Sequence, residues 1–284
     1  MSRETEKVLK EFHKYIGDRE FENEDELNKM TSEFFEKYNA GLTSKKKSSK
    51  MSADDYLDMA YEAETREEAV EFAKKALKED SNCVDAKLLI IQSEEESETT
   101  KKQLEELIKG ETKRLEKEGY FSKDNIGHFY GILQTRPYMR ARAAYIELLV
   151  LMSKYKKAVA ECEDLIRLSE NDNMGIRYNL ICLYAMLEDL VAAKALMNKY
   201  KEDSFGMLYP MAVLYYRLDD YDNAKSIIRK IFKKNKDFRD FVAGKLLLSK
   251  EEIENIISGG MYSPKSIRVS SSANFASWYT GTSA

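Results

Sequence analysis

Apolar residues recur at helical spacing from the first residues onward. Val8, Leu9, Phe12 and Ile16 share one face of a predicted helix, and Met30, Phe34, Phe35 and Tyr38 share a face of a second. Residues 16–27 between them have the polar, stop-and-start character of a turn, so residues 1–40 read as an N-terminal helical pair. Residues 41–51 break the pattern: Gly41, Lys45, Lys46, Lys47 and Lys50 stand among small polar residues, the composition of a flexible linker and a domain boundary. From residue 52 the helical period returns in long runs. Twelve glycines and three prolines in 284 residues leave few breakers to interrupt them. The class expected is all-α.

The stronger signal is self-similarity, which in a helical chain points to stacked pairs. Ala158, Ala193 and Ala224 lie 35 and 31 positions apart, close to the 34-residue helix pair of the tetratricopeptide pattern. Ala69 begins the same series, and Leu104, one repeat later, marks a second pair with its first helix over residues 84–96. The 89 positions from Ala69 to Ala158 exceed two repeats, so a loop insertion is expected near residues 120–138. Large residues recur around the alanines: Tyr56, then Tyr145 and Leu149, then Leu180 and Tyr184, then Met211 and Tyr215. Alanine at the closest approach lets two helices meet without a clash, and neighbouring pairs must stack to hide their apolar faces. The expected fold is a right-handed superhelical solenoid of such pairs over residues 52–258, preceded by the N-terminal hairpin. Residues 238–248 and 249–258, the latter opened by a Ser249/Glu252 capping box, read as its last helices. Residues 259–284 are serine-rich and aperiodic, an irregular tail.

Residues 127–149, and in particular His128, Phe129 and the run from Thr135 to Arg142, resemble bacterial tetratricopeptide-repeat proteins related to the suppression-of-tumorigenicity family. The resemblance spans about residues 52–248 and, more loosely, residues 1–40. It implies a cytoplasmic helical-repeat protein of bacterial type that mediates protein interactions, with no catalytic residue or cofactor to carry over. The chain departs from the family after residues 259–266, which look like its Gly-Tyr-Pro-Ser turn. A helical acidic segment follows there in relatives, and an irregular serine-rich one here.

Charge and motif content narrow the function classes. A net charge of −4 provides no global field toward nucleic acid or anionic membrane. Cys83, Cys162 and Cys182 are scattered, without a CxxC spacing, and read as reduced core residues. No apolar run has the length of a membrane span and the charged N-terminus lacks a secretory pattern, so cytoplasm is the expected compartment. His13 and His128 are the only histidines, and nucleophile-elbow, zinc-helix and phosphate-loop motifs are absent. We therefore expect no enzyme, no metal and no cofactor.

What remains is a binding surface. Arrays of this kind hold extended peptides along the face formed by the first helix of each pair. The register nominates Arg140 and Glu147, then Tyr178 and Asn179, then Tyr209, Tyr216 and Arg217. Arg136, Arg140 and Arg142 at the end of the insertion form a cationic hook for a carboxylate or phosphate. Alternatively the insertion folds down over the array and these arginines pair with Glu111, Glu116 or Glu118. The expected partner is a protein or peptide. A second reading places nucleic-acid backbone on Lys45–Lys50 and the arginines, against which the acidic balance argues.

Overall fold

The computed structural model describes residues 3–17, 19, 21–40 and 51–234. Regular structure among them is entirely helical, with twelve α-helices and two short 3-10 turns. The predicted linker at residues 41–50, the helices expected at 238–258 and the tail at 259–284 lie outside the described residues. The chain divides into two compact units: residues 1–153 with 164–173, and residues 154–163 with those from 174 onward.

The first unit contains α1 (Arg3–Ile16), α2 (Glu24–Asn39), α3 (Ala53–Glu62), α4 (Arg66–Glu79), α5 (Val84–Gln92), α6 (Glu98–Lys117) and α7 (Arg136–Leu151). Side chains that accept a hydrogen bond from an otherwise unpaired backbone N–H start four of them: Asn23, Ser52, Thr65 and Ser97 each accept from the residue three further on. Asp55 returns the bond to Ser52 and completes a capping box. Phe34, fully buried, centres the α1–α2 pair between Phe12, Tyr15 and Tyr38. Salt bridges hold α1 to α3, Lys7 to Asp58 and Lys10 to Asp54, both at 2.9 Å. The N-terminal pair thus shares a unit with the helices that follow it. Under α3 and α4 lies a core of Leu57, Ala73, Ala76 and Ala86. Ala69, which heads the repeat series in sequence, is only half-buried, and the close approach is made by Ala73 and Ala76.

The insertion is an ordered structure. Gly119, at φ +80°, ends α6, and the Tyr120 N–H closes back on the Leu115 carbonyl at 2.9 Å. Two 3-10 turns follow, Phe129–Gly131 and Leu133–Thr135. The fully buried Phe129 ring sits 4.9 Å from Phe121, and Thr135 donates its hydroxyl to the Phe129 carbonyl. Gly127 is stitched to the chain at 168–170: its N–H donates to Leu168 O and its carbonyl accepts from Glu170 N–H. Its φ of +95° suits glycine alone.

The second unit takes the first part of α8 (Tyr155–Leu168), then α9 (Ile176–Met186), α10 (Leu190–Tyr200), α11 (Phe205–Arg217) and α12 (Tyr221–Lys234). Repetition shows in the backbone. Ser153, Glu188 and Asp219 all adopt the left-handed conformation, at φ 57°, 61° and 59°, each five positions before a buried alanine, Ala158, Ala193 or Ala224. After Glu188 and Asp219 the following N–H returns to Tyr184 O and Tyr215 O, at 2.9 Å in both turns. Asp189 and Asp220 then accept from Ala192 N–H and Asn223 N–H to open α10 and α12. One turn design thus links α9 to α10 and α11 to α12.

Candidate functional site

The three arginines expected to form a cationic hook are spoken for inside the first unit. Arg136 is 3 % exposed; its Nε donates to the Tyr130 carbonyl at 2.9 Å and its guanidinium stacks 5.1 Å from the Tyr130 ring centre. Arg140 donates two bonds to Asp85, at 2.7 and 2.6 Å, and reaches Glu6 at 2.9 Å. Arg142 donates to Asp164 and lies over the Tyr138 ring. Their partners are therefore Asp85, Glu6 and Asp164. Glu111 and Glu118, two of the acids expected to take them, pair with Arg114 instead. Burial alone would ease the proton off Arg140, but Asp85 and Glu6 outweigh it and hold the guanidinium above its usual value. Burial likewise pushes the Asp164 carboxyl up, and Arg142 with Arg167 brings it below its ordinary range. Glu147 reaches solvent, has no ion-pair partner among the described residues, and is raised by desolvation.

In the second unit Tyr178 is built into the fold. Its hydroxyl donates to Glu202 at 2.6 Å, and Arg177 stacks on its ring at 4.3 Å while also bonding Glu202. The ring also packs on Gly206, where a Cβ would stand 2.8 Å from it. Burial and Glu202 raise the phenol above its usual value, outweighing Arg177. Asn179 is half-buried, and no described hydrogen bond uses its amide. Cys162 and Cys182 are buried thiols outside any disulfide; burial pushes Cys182 well up, and it donates to the Tyr178 carbonyl. Such a thiol is a core residue.

Tyr216 and Arg217 come together with side chains that the register did not nominate. Arg217 donates to Glu188 at 3.1 and 2.9 Å, tying the end of α11 to the α9–α10 turn. Around that pair, Leu187, Val191, Tyr216, Leu218 and Tyr221 are exposed, Val191 by 82 % and Tyr216 by 64 %. These are five of the nine large exposed hydrophobic residues among those described, gathered at two turns. The Tyr216 and Tyr221 rings meet edge to face at 5.4 Å. Beside them a largely apolar cleft of about 580 Å³ opens between α11 and α12, with Tyr209, Val213 and Tyr216 on one wall and Ile228 and Phe232 on the other. Exposed Lys225 and Arg229 also line it. Tyr209 lies about 10 Å along the helix from Tyr216, at 1.5 Å rise per residue. Tyr178 and Asn179 sit toward the opposite end of α9 from Leu187, so the structure does not bring all the nominated residues together. The sequence signal for the turn surface was present: apolar Leu187 and Leu218 immediately precede the left-handed residues.

Among the described residues no His, Cys, Asp and Glu group is arranged to hold a metal ion, and no helix is long and apolar enough to cross a membrane. Comparison of the chain with protein-family models and with curated proteins gives no match.

Proposed function

We propose that this chain is a non-catalytic scaffold of tetratricopeptide-like helix pairs, acting in the cytoplasm, that holds a segment of another protein against its second unit. The observation that carries the reading is the gathering of exposed apolar side chains at the α9–α10 and α11–α12 turns, around the nominated Tyr216 and Arg217. Covering apolar side chains of this size is worth about 1.5–3 kcal/mol each when complete, so even partial cover of five provides a binding surface. The partner segment supplies apolar side chains to Val191, Leu187, Leu218 and Tyr216. The Arg217–Glu188 pair stands among them as a polar contact that fixes orientation. Tyr209 extends the same helix face, whereas Arg136, Arg140 and Arg142 contribute by holding the first unit together.

The test is affinity capture from native extract with the intact chain and with a Val191→Asp/Tyr216→Ala variant side by side. Both positions are exposed, so the variant's circular dichroism and urea midpoint should match the parent. A partner retained by the parent and lost from the variant is the expected result. Identical partner lists from the two proteins would remove the turn surface from consideration. No observation favours the nucleic-acid reading: Lys45–Lys50 lie outside the described residues and the arginines have internal partners.

A further inference from the structure

We propose that the segment held at the turn surface carries a basic side chain, lysine or arginine, seated on the Tyr216–Tyr221 corner beside its apolar residues. The proposal rests on the partner reading above and names the chemistry of that partner. The fold itself supplies the pattern. Tyr178 donates its hydroxyl to Glu202 at 2.6 Å, and Arg177 stacks on that ring at 4.3 Å while bonding the same carboxylate. Arg142 likewise lies 5.7 Å from the Tyr138 ring centre and is paired with Asp164. A cation over a tyrosine face with a carboxylate beside it gains from both, because the ring face is negative and the acid completes the charge.

Tyr221 and Asp219 reproduce the tyrosine and the carboxylate of that arrangement on the surface. The Tyr221 hydroxyl donates to Asp219 at 2.6 Å, which fixes the ring, and Tyr216 stands edge to face against it at 5.4 Å. Both rings are exposed, and among the described residues no lysine or arginine lies over either. Tyr184 also donates to a carboxylate, Glu163, without a cation, but that ring is buried and has no open face. The charge around the corner agrees. Residues 216–222 hold Asp219, Asp220 and Asp222 against Arg217 alone, and Arg217 is already bonded twice to Glu188. Asp220 is used in capping α12 through Asn223, whereas exposed Asp222 has no hydrogen bond or ion pair among the described residues. Lys194 and Lys225 stand three residues beyond Val191 and Asp222, about one helical turn further into α10 and α12. Their like charge steers a basic side chain away from the helix bodies and toward the turn.

Two experiments on the full chain test it. In the first, a displayed library of random peptides is panned on the protein, and only peptides that bind the parent and not the Val191→Asp/Tyr216→Ala variant are kept. Lysine or arginine beside the apolar residues should be enriched among them by about threefold or more over the starting library. Enrichment of acidic residues, or no preference for charge, overturns the inference while the turn surface stands. No retained peptide at all overturns the turn-surface reading and this inference with it. In the second, the basic residue of one retained peptide is replaced by norleucine. Binding to the parent should weaken about 3- to 30-fold, the worth of one exposed cation–ring contact and one exposed ion pair. Against a Tyr221→Leu/Asp219→Asn/Asp222→Asn variant the same replacement should cost about twofold or less. All three positions are exposed, and asparagine tolerates the left-handed backbone at 219, so the variant keeps the fold. An equal loss against parent and variant overturns the seat on this corner.

Discussion

Arg140 provides the sharpest trial of the internal ion-pair reading. Its guanidinium reaches Asp85 on α5 and Glu6 on α1, carboxylates whose side chains are only 8 % and 12 % exposed. Arg140→Ala would leave both acids without their cation in a poorly hydrated site. Removing one partner from a fully buried pair costs about 3–5 kcal/mol. Arg140 itself is 24 % exposed, so water can partly replace it, and the lower end applies: about 3 kcal/mol. Arg140→Lys keeps the charge but loses the two-pronged contact with Asp85 and should cost about half as much. Pairing Arg140→Ala with Asp85→Ala in a double-mutant cycle should return a coupling within about 0.5–3 kcal/mol. Urea denaturation followed by circular dichroism measures each value, and amide exchange in α1 should quicken in the alanine variant because Glu6 loses its anchor. If Arg140→Ala costs less than about 1 kcal/mol and leaves α1 protection untouched, the guanidinium is not a structural tie. It would then be free to meet a ligand, as the sequence reading first had it.

Three further outcomes follow from the second unit. Gly206→Ala puts a Cβ 2.8 Å from a Tyr178 ring that Arg177 and Glu202 hold in place, so overpacking of about 1–3 kcal/mol should exceed the gain of less than about 1 kcal/mol from helix propensity; a higher urea midpoint would show that the ring yields. Glu188→Gly and Asp219→Gly relieve left-handed backbone at φ 61° and 59°, and each should raise stability by up to about 1 kcal/mol, less the small worth of the exposed Glu188–Arg217 or Asp219–Tyr221 contact; a lowered midpoint in both would contradict the turn assignment. Asp203, hydrogen-bonded by Lys230 and Lys234, is held at about 2 against an ordinary 3.8. A lowered folded-state value means its contribution is complete above 3.8 and disappears as pH falls toward 2. Protection of the backbone amides at the end of α12, taken relative to the unprotected-chain rate at each pH, should therefore fall in the parent across that window and change less in Asp203→Asn.

The all-helical class and the positions of most helices were legible because they rest on local properties, the apolar period and the caps. Alanine spacing located the pairs whose turns prove identical, since the turn and the buried alanine travel together. Ala69 stands at the same place in its helix as Ala158, Ala193 and Ala224, its N–H bonded to Thr65 O as theirs are to Lys154, Asp189 and Asp220 O, and differs from them only in being half-buried, while Ala73 and Ala76 of the same helix are fully buried. The arginine partners were out of reach. Arg140 meets acids 55 and 134 positions away, and no local pattern marks which of the chain's 50 acidic residues will be buried beside it. The fold of the insertion depends likewise on Gly127 meeting the chain at residues 168–170. The exposed turn residues escaped because a periodic apolar residue is assigned to the core by default, and Val191 belongs to the period yet faces water.

The identical turns have a consequence for how such a chain can change length. Excising residues 189–219 would join Glu188 directly to Asp220. The joint keeps a left-handed residue, an aspartate that caps the next helix and an alanine four positions later, all in their present order. Only the number of helices would differ. A gene encoding this protein can therefore lose or duplicate a block of 31 codons at that point without disturbing the phase of the helices on either side, so the number of helix pairs becomes a heritable variable separate from the way each pair is built.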